Sequence, residues 1–347
     1  MEILQTTGRK RQTYKIQLEQ SLLWEAALGI AAITNSRLIN TLELKESYWS
    51  NIREIATEEL IKELHYVENH NTWKAILQIL HQDRFEKLEE FEEFVEQTGE
   101  VNLRFICIPF LGEDMQDIRW KAAKGNLEAV NFLMDYTDDN PFFPEYISFI
   151  SRVDRAVLKN HLKVVMKLWF KEVLDTQRGQ VSQILELDYT TKNEYLKKME
   201  SEEFVQWATG GISYLPEPSI HTVLLIPQFC YRPWNIVGDI EGAKVFYYPV
   251  SSQSVHPEDR YLPDQITVLK YKALGDEVRL KIVKLLYEED RTLQELKDRL
   301  DIGKSTIHHH LKILRSAKLV VVRESKYSLQ EELIRGMARE VEAYLGR

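Results

Sequence analysis

The stretch "TLQELKDRLDIGKSTIHHHLKILRSAKLV", Thr292 to Val320, decides how the last quarter of the chain folds. Thr292 stands three residues before Glu295, the spacing of a capping box, and this predicts a helix from about Leu293 to Leu300. "DIG", Asp301 to Gly303, is a tight turn. A second helix is expected from Lys304 to about Ala317, because Ile307, Leu311 and Leu314 recur at i, i+4 and i+7. Two short helices joined by a glycine-containing turn make a helix-turn-helix pattern.

The flanks extend the pattern. Upstream, Ile266, Leu269 and Leu274 form one helical stripe that Gly275 ends. Asp276 then caps a helix to about Tyr287, with Val278, Ile282, Leu285 and Leu286 facing inward. Downstream, "KLVVVRESKYSL" offers two β-rich runs around Glu324–Ser325, which is a hairpin and, after such a helix pair, a wing. A final helix, about Gln330–Leu345, presents Leu333, Met337, Val341 and Tyr344 on one stripe.

Charge separates this segment from the rest. The whole chain of 347 residues carries a net charge of −9, yet from Asp264 to the end there are 17 Lys+Arg against 14 Asp+Glu. Six basic residues (Lys304, Lys312, Arg315, Lys318, Arg323, Lys326) and one acid, Glu324, lie between Gly303 and Ser328. A basic patch on an acidic protein points to an anionic polymer more sharply than the overall charge does. All ten prolines and all seven tryptophans fall at or before Pro263. The polar, proline-containing segment "SSQSVHPEDRYLPDQ" reads as a linker. The expected organisation is a mainly helical N-terminal domain over 1–250, a linker over 251–264, and the winged helix-turn-helix over 265–347. The fold class is mainly α with minor β (α+β).

Within the first 250 residues, "TYKIQLE" alternates Tyr14, Ile16 and Leu18 and predicts a strand; Ser21 then caps a helix to about Thr34. Helical spacing dominates up to about residue 215. "HTVLLIPQF" and "AKVFYYPV" read as two paired strands. "LLWEAALGIAAI" contains Glu25 and is too short to span a bilayer. The basic start "GRKRQTYK" is not followed by an apolar signal-peptide core, so a cytoplasmic protein without a membrane partner is expected. Cys107 and Cys230 are expected as buried thiols. No G-x-S-x-G, HExxH, P-loop, GxGxxG or Cys/His cluster occurs, so no catalytic residue, cofactor or metal is expected, and the chain reads as a non-enzyme.

"ALGDEVRLKIVKLL" followed by "TLQELKDRLDIGKSTIHHHLKILRSAKLV" resembles the winged helix of ArsR-type bacterial transcriptional regulators. The similarity covers about 75 residues; the preceding 260 resemble, in architecture, the long effector-like region of some members. The resemblance implies a regulator, in most cases a repressor, that binds double-stranded DNA as a homodimer. Two departures stand out. Metal-sensing members carry a cysteine pair where this chain has Thr292 and Gln294, and others place ligands on a last helix that here holds no His or Cys. The family's metal sensing therefore does not carry over, and a non-metal small molecule or a protein is the expected effector. The wing is also a few residues short.

The triplet His308–His310 fits that reading better than a metal site. Successive helical residues turn by 100°, so three in a row fan over about 200° and do not converge. Ser305 and Thr306 are expected at phosphate near the helix start. Lys304, His308 and His309 are expected in the major groove. His310 lies towards the flank, at backbone or phosphate. Lys312, Arg315, Arg323 and Lys326 complete the candidate contacts, and Lys318 is a further phosphate candidate. The stripe on the first and last helices of the module is expected to be exposed until a dimer, or the chain's own N-terminal domain, buries it. An enzyme or protein-interaction module tethered to DNA by the winged helix is the alternative.

Overall fold

A computed structural model describes residues 13–259, 261–323 and 325–345; part of the basic start (8–12) and Glu324 lie outside them. The chain is mainly α with minor β. It divides into two compact units, Met1–Lys197 with Pro216–Val250, and Lys198–Leu215 with Ser251–Arg347.

The first unit holds a four-stranded sheet in the order β1 (Lys15–Leu18), β2 (Thr222–Gln228), β4 (Ala243–Pro249), β3 (Ile236–Ile240). β1 and β4 run parallel to β2, and β3 closes the edge antiparallel to β4. Six of the seven β2 residues are buried, which explains its unbroken apolar run, since parallel strands are covered on both faces. β3, "IVGDI", escapes a sequence reading because it is a half-exposed edge strand with Gly238 and Asp239 inside it.

Against this sheet lies α1 (Leu22–Ile33), capped by the Ser21 hydroxyl, which accepts from the Leu23 amide. Eleven of its residues are buried, the pattern of a central rather than a surface helix. Glu25 is tolerated inside because its carboxylate accepts the amides of Phe229 (2.9 Å) and Cys230 (2.7 Å); burial still pushes its pKa up. At Gly29 a Cβ would stand 2.8 Å from the Trp169 ring, so the absence of a side chain lets α1 meet the end of α3 (Arg155–Trp169). A π-helical turn, Phe170–Leu174, leads from α3 into α4 (Asp175–Leu196). Cys107 and Cys230 are buried free thiols.

The second unit contains the expected elements: α6 (Gln265–Leu274), α7 (Glu277–Glu288), α8 (Leu293–Leu300), α9 (Lys304–Ser316), the hairpin β5 (Val320–Arg323) and β6 (Lys326–Leu329), and α10 (Glu331–Tyr344). The segment read as a linker is tied down: the Ser252 amide donates to the Asp264 carboxylate (2.8 Å), and the Tyr344 hydroxyl donates to the Tyr261 carbonyl (2.6 Å). A second addition is residues 198–215, which carry α5 (Ser201–Ala208) and group with this unit although they precede β2 in sequence. The apolar stripe expected to be exposed on the last helix is filled within the unit. Leu333 and Met337 are each only 5% exposed, and the Gly211 backbone lies against Leu333. Among the described residues no helix is long and apolar enough to cross a membrane.

His81, just after α2 (Trp73–Leu80), sits in the first unit between the Trp24 ring (centroids 4.6 Å) and the Tyr247 hydroxyl (2.7 Å). Burial pushes its pKa down to about 3. A depressed folded-state pKa means that the neutral form is favoured above the ordinary value of about 6.5 and that stability is lost as pH falls from there towards 3. Denaturant unfolding is expected to show this loss at up to about 1.4 kcal/mol per pH unit. His81→Gln should flatten that part of the slope, and an unchanged slope would remove His81 as its source.

Candidate nucleic-acid interface

The polar surface of α9 is set by the burial of its other face. Ile307, Leu311 and Leu314 enter one core with Ala273, Ile282, Leu286 and Leu296. Each such side chain stabilises by about 1.5–3 kcal/mol, enough to fix the rotation of the helix about its axis. The turn before it is equally determined. Both arms of the Thr292/Glu295 capping box are made, and Asp301 ends α8 in the left-handed region at φ 53°. Gly303 then opens α9 with no side chain to cap the first-turn amides. Such uncapped amides at a helix start are anion acceptors in waiting.

With that face buried, Lys304, Ser305, Thr306, His308, His309, Lys312 and Arg315 are all exposed. The histidine triplet divides. His308 and His309 point to solvent, whereas His310 is only 13% exposed and its Nδ1 lies 3.7 Å from the Asp276 carboxylate. Asp276 is also the cap of α7, accepting the Arg279 amide (2.9 Å); the Arg279 guanidinium in turn donates to the carbonyls of Ala273 (2.6 Å) and Lys272 (3.0 Å). The third histidine therefore lies beside the "D-x-x-R" of the opening motif, turned towards the α7 cap but without a hydrogen bond from its Nδ1 among the described residues. Sequence spacing gives no hint of this contact, because Asp276 and His310 are far apart in the chain.

The wing is the β5–β6 hairpin, with Arg323 opposite Lys326 and both exposed. Arg291 adds an isolated bridge by exchanging backbone hydrogen bonds with Tyr327 (3.1 and 2.7 Å), so the short wing is braced from the α7–α8 connection. Lys318 is partly buried at φ 59°. Lys304, Lys312, Arg315, Arg323 and Lys326 have no ion-pair partner among the described residues. Among those residues no group of three His, Cys, Asp or Glu is placed to hold a metal ion.

In the first unit a cleft of about 820 Å³ opens beside the end of β1 and the start of α1. Its second wall is the π-turn and α4, which contributes Asp175, Arg178, Ser182, Leu185, Glu186 and Tyr189 along one face. Basic and acidic side chains are nearly balanced in the lining (five and six), over an apolar floor that includes Leu18, Trp24 and Phe170. π-Turns recur at functional sites, and the volume falls in the range of small-molecule pockets.

The cap at α7 can be weighed directly. Asp276→Ala is expected to lower the stability of this unit by about 1 kcal/mol, whereas Asp276→Asn, which still caps, should cost only a few tenths. Equal losses in the two variants, read by denaturant titration, would mean that the charge on Asp276 rather than its capping makes its contribution.

A helix-turn-helix domain family matches residues 274–323, the span from the end of α6 to the end of β5. Over 75 residues the chain is 40% identical to an uncharacterised HTH-type transcriptional regulator, YceK, of Bacillus subtilis (strain 168); the aligned part is 20% of this chain and 75% of that protein. No solved structure matches the chain. With the helix pair, the wing and the matched residues coinciding, the chain belongs to the HTH-type transcriptional regulators.

Proposed function

We propose that the protein is a cytoplasmic transcriptional repressor of the ArsR type that reads double-stranded DNA as a homodimer and answers to a non-metal effector, a small molecule or a protein, at its N-terminal part. The observation that carries DNA reading is the exposed face of α9: a buried apolar stripe fixes a surface of unpaired cations, hydroxyls and two imidazoles beside uncapped helix-start amides.

The roles follow from position. Ser305, Thr306 and the first-turn amides grip phosphate at the helix start. Lys304, His308 and His309 reach base edges in the major groove, with Lys304 suited to guanine. Lys312 and Arg315 flank the groove, and Arg323 and Lys326 bring the wing to the neighbouring backbone. His310, turned towards the Asp276 carboxylate, stands behind the reading face rather than on it. One such module covers one half-site, and a second copy about 34–36 Å away along the duplex supplies the rest of the affinity. Because Leu333 and Met337 are already covered in cis, the two copies meet through other surfaces. The 820 Å³ cleft is the natural seat of a small-molecule effector, and its balanced lining fits a dipolar compound better than a lipid.

Selection of duplexes from a randomised library by the full chain should enrich a two-fold related sequence. Lys304→Ala with His309→Ala should relax its base preference by about 1–3 kcal/mol per lost contact. Arg323→Ala should weaken all sequences alike and make the slope of log K against log salt shallower by about 0.9. Failure of the full chain to enrich any duplex at about 50 mM salt would refute the DNA-reading proposal.

A further inference from the structure

Residues 198–215 leave the first unit, pack into the second, and return to the first at Pro216. The excursion grips the two helices that flank the DNA-reading core. Glu203 pairs with Arg339 of α10, and the Gln206 side chain donates to the Glu332 carbonyl (3.1 Å). Lys270 of α6 is 0% exposed; its ammonium pairs with Glu340 of α10 and donates to the Gly210 carbonyl (3.4 Å). Gly211 follows at φ +120°, and a Cβ there would stand 1.7 Å from Leu333 Cδ2, so only glycine lets the backbone lie this close to α10. A buried ammonium that loses one of its oxygen partners is costly, so α6 is sensitive to whether this strap is in place. One turn beyond Lys270, Ala273 enters the same core as Leu311 and Leu314 of α9. The strap thus reaches the reading helix through one intermediate helix.

The other end of the strap leads to the cleft. The six cleft-lining residues of α4 lie on a helix that ends at Leu196, two residues before the strap begins. At 1.5 Å per residue α4 is a rod of about 33 Å, and the π-turn before it gives it a point of adjustment. We infer that α4 and the 198–215 strap are the lever by which occupancy of the 820 Å³ cleft changes DNA affinity. The inference rests on the DNA-reading proposal above and adds the site that senses and the route that couples it. The change in affinity arises only from a difference in strap position between the occupied and empty states, and DNA must bias the cleft by the same factor.

The lever can be tested before the effector is known. Ser182, on the cleft wall, is replaced by Cys in the full chain and modified with N-ethylmaleimide, which fills part of the cleft after folding; Cys107 and Cys230 are buried and serve as the unreactive background. The same variant is made with Gly-Ser-Gly-Ser inserted between Lys197 and Lys198. Affinity for a library-selected duplex is read by fluorescence anisotropy for all four species, as a double-mutant cycle. The expected result is a change of at least fivefold on modification of the uninterrupted chain and less than twofold once the insertion cuts the lever. An equal change in both backgrounds, or none in either, overturns the route while leaving DNA reading intact. Absence of DNA binding by the unmodified wild-type chain overturns both.

Discussion

Everything that the C-terminal unit does depends on three buried side chains. Ile307, Leu311 and Leu314 bind α9 to the core formed by α6, α7 and α8, and their burial decides which residues of that helix face away. If the stripe were shifted by one position, the helix would turn by about 100° about its axis and a different set of residues would face away from the core. The Asp276 cap and the Arg279 guanidinium fix the α6–α7 turn, and His310 of α9 lies beside it. DNA reading is in this sense a by-product of packing: polar residues gain their function because apolar neighbours fix the helix.

The reading head is not built from one continuous piece of chain. The strap contributes a carbonyl to buried Lys270 and a backbone surface to Leu333, so contacts of α6 and α10 come from residues more than fifty positions upstream. The strap follows α4 directly in the chain, with only residues 197–200 between that helix and α5.

Much of this was legible in the residues, for reasons that can be named. The helix-turn-helix stood out because the apolar period, the Thr292/Glu295 box, Asp276 as cap and Gly303 in the turn are all local signals that agree. The parallel strands β2 and β4 were visible as unbroken apolar runs, whereas β3 was not, since an edge strand with Gly238 and Asp239 lacks that signature. What sequence could not show was long-range. The covering of Leu333 by the strap, the turning-in of His310 and the Arg291–Tyr327 rung each join residues whose spacing carries no period. Which α9 residues are exposed was therefore legible from the apolar period, except for His310, while the contacts around the helix were not.

Salt dependence of DNA binding by the full chain measures the role of the exposed basic face most directly. Lys304, Lys312, Arg315, Arg323 and Lys326 are exposed and make no close ion pair among the described residues, although, beside the Thr292 hydrogen bonds, the charge of Lys326 helps to hold the Glu295 carboxyl below its usual range. If these five meet phosphate or displace its counterions, log K should fall with log salt at a slope of about −4.5 per protomer, and about twice that for a dimer on two half-sites. A slope near zero, with affinity kept at high salt, would contradict the claim that this face reads DNA.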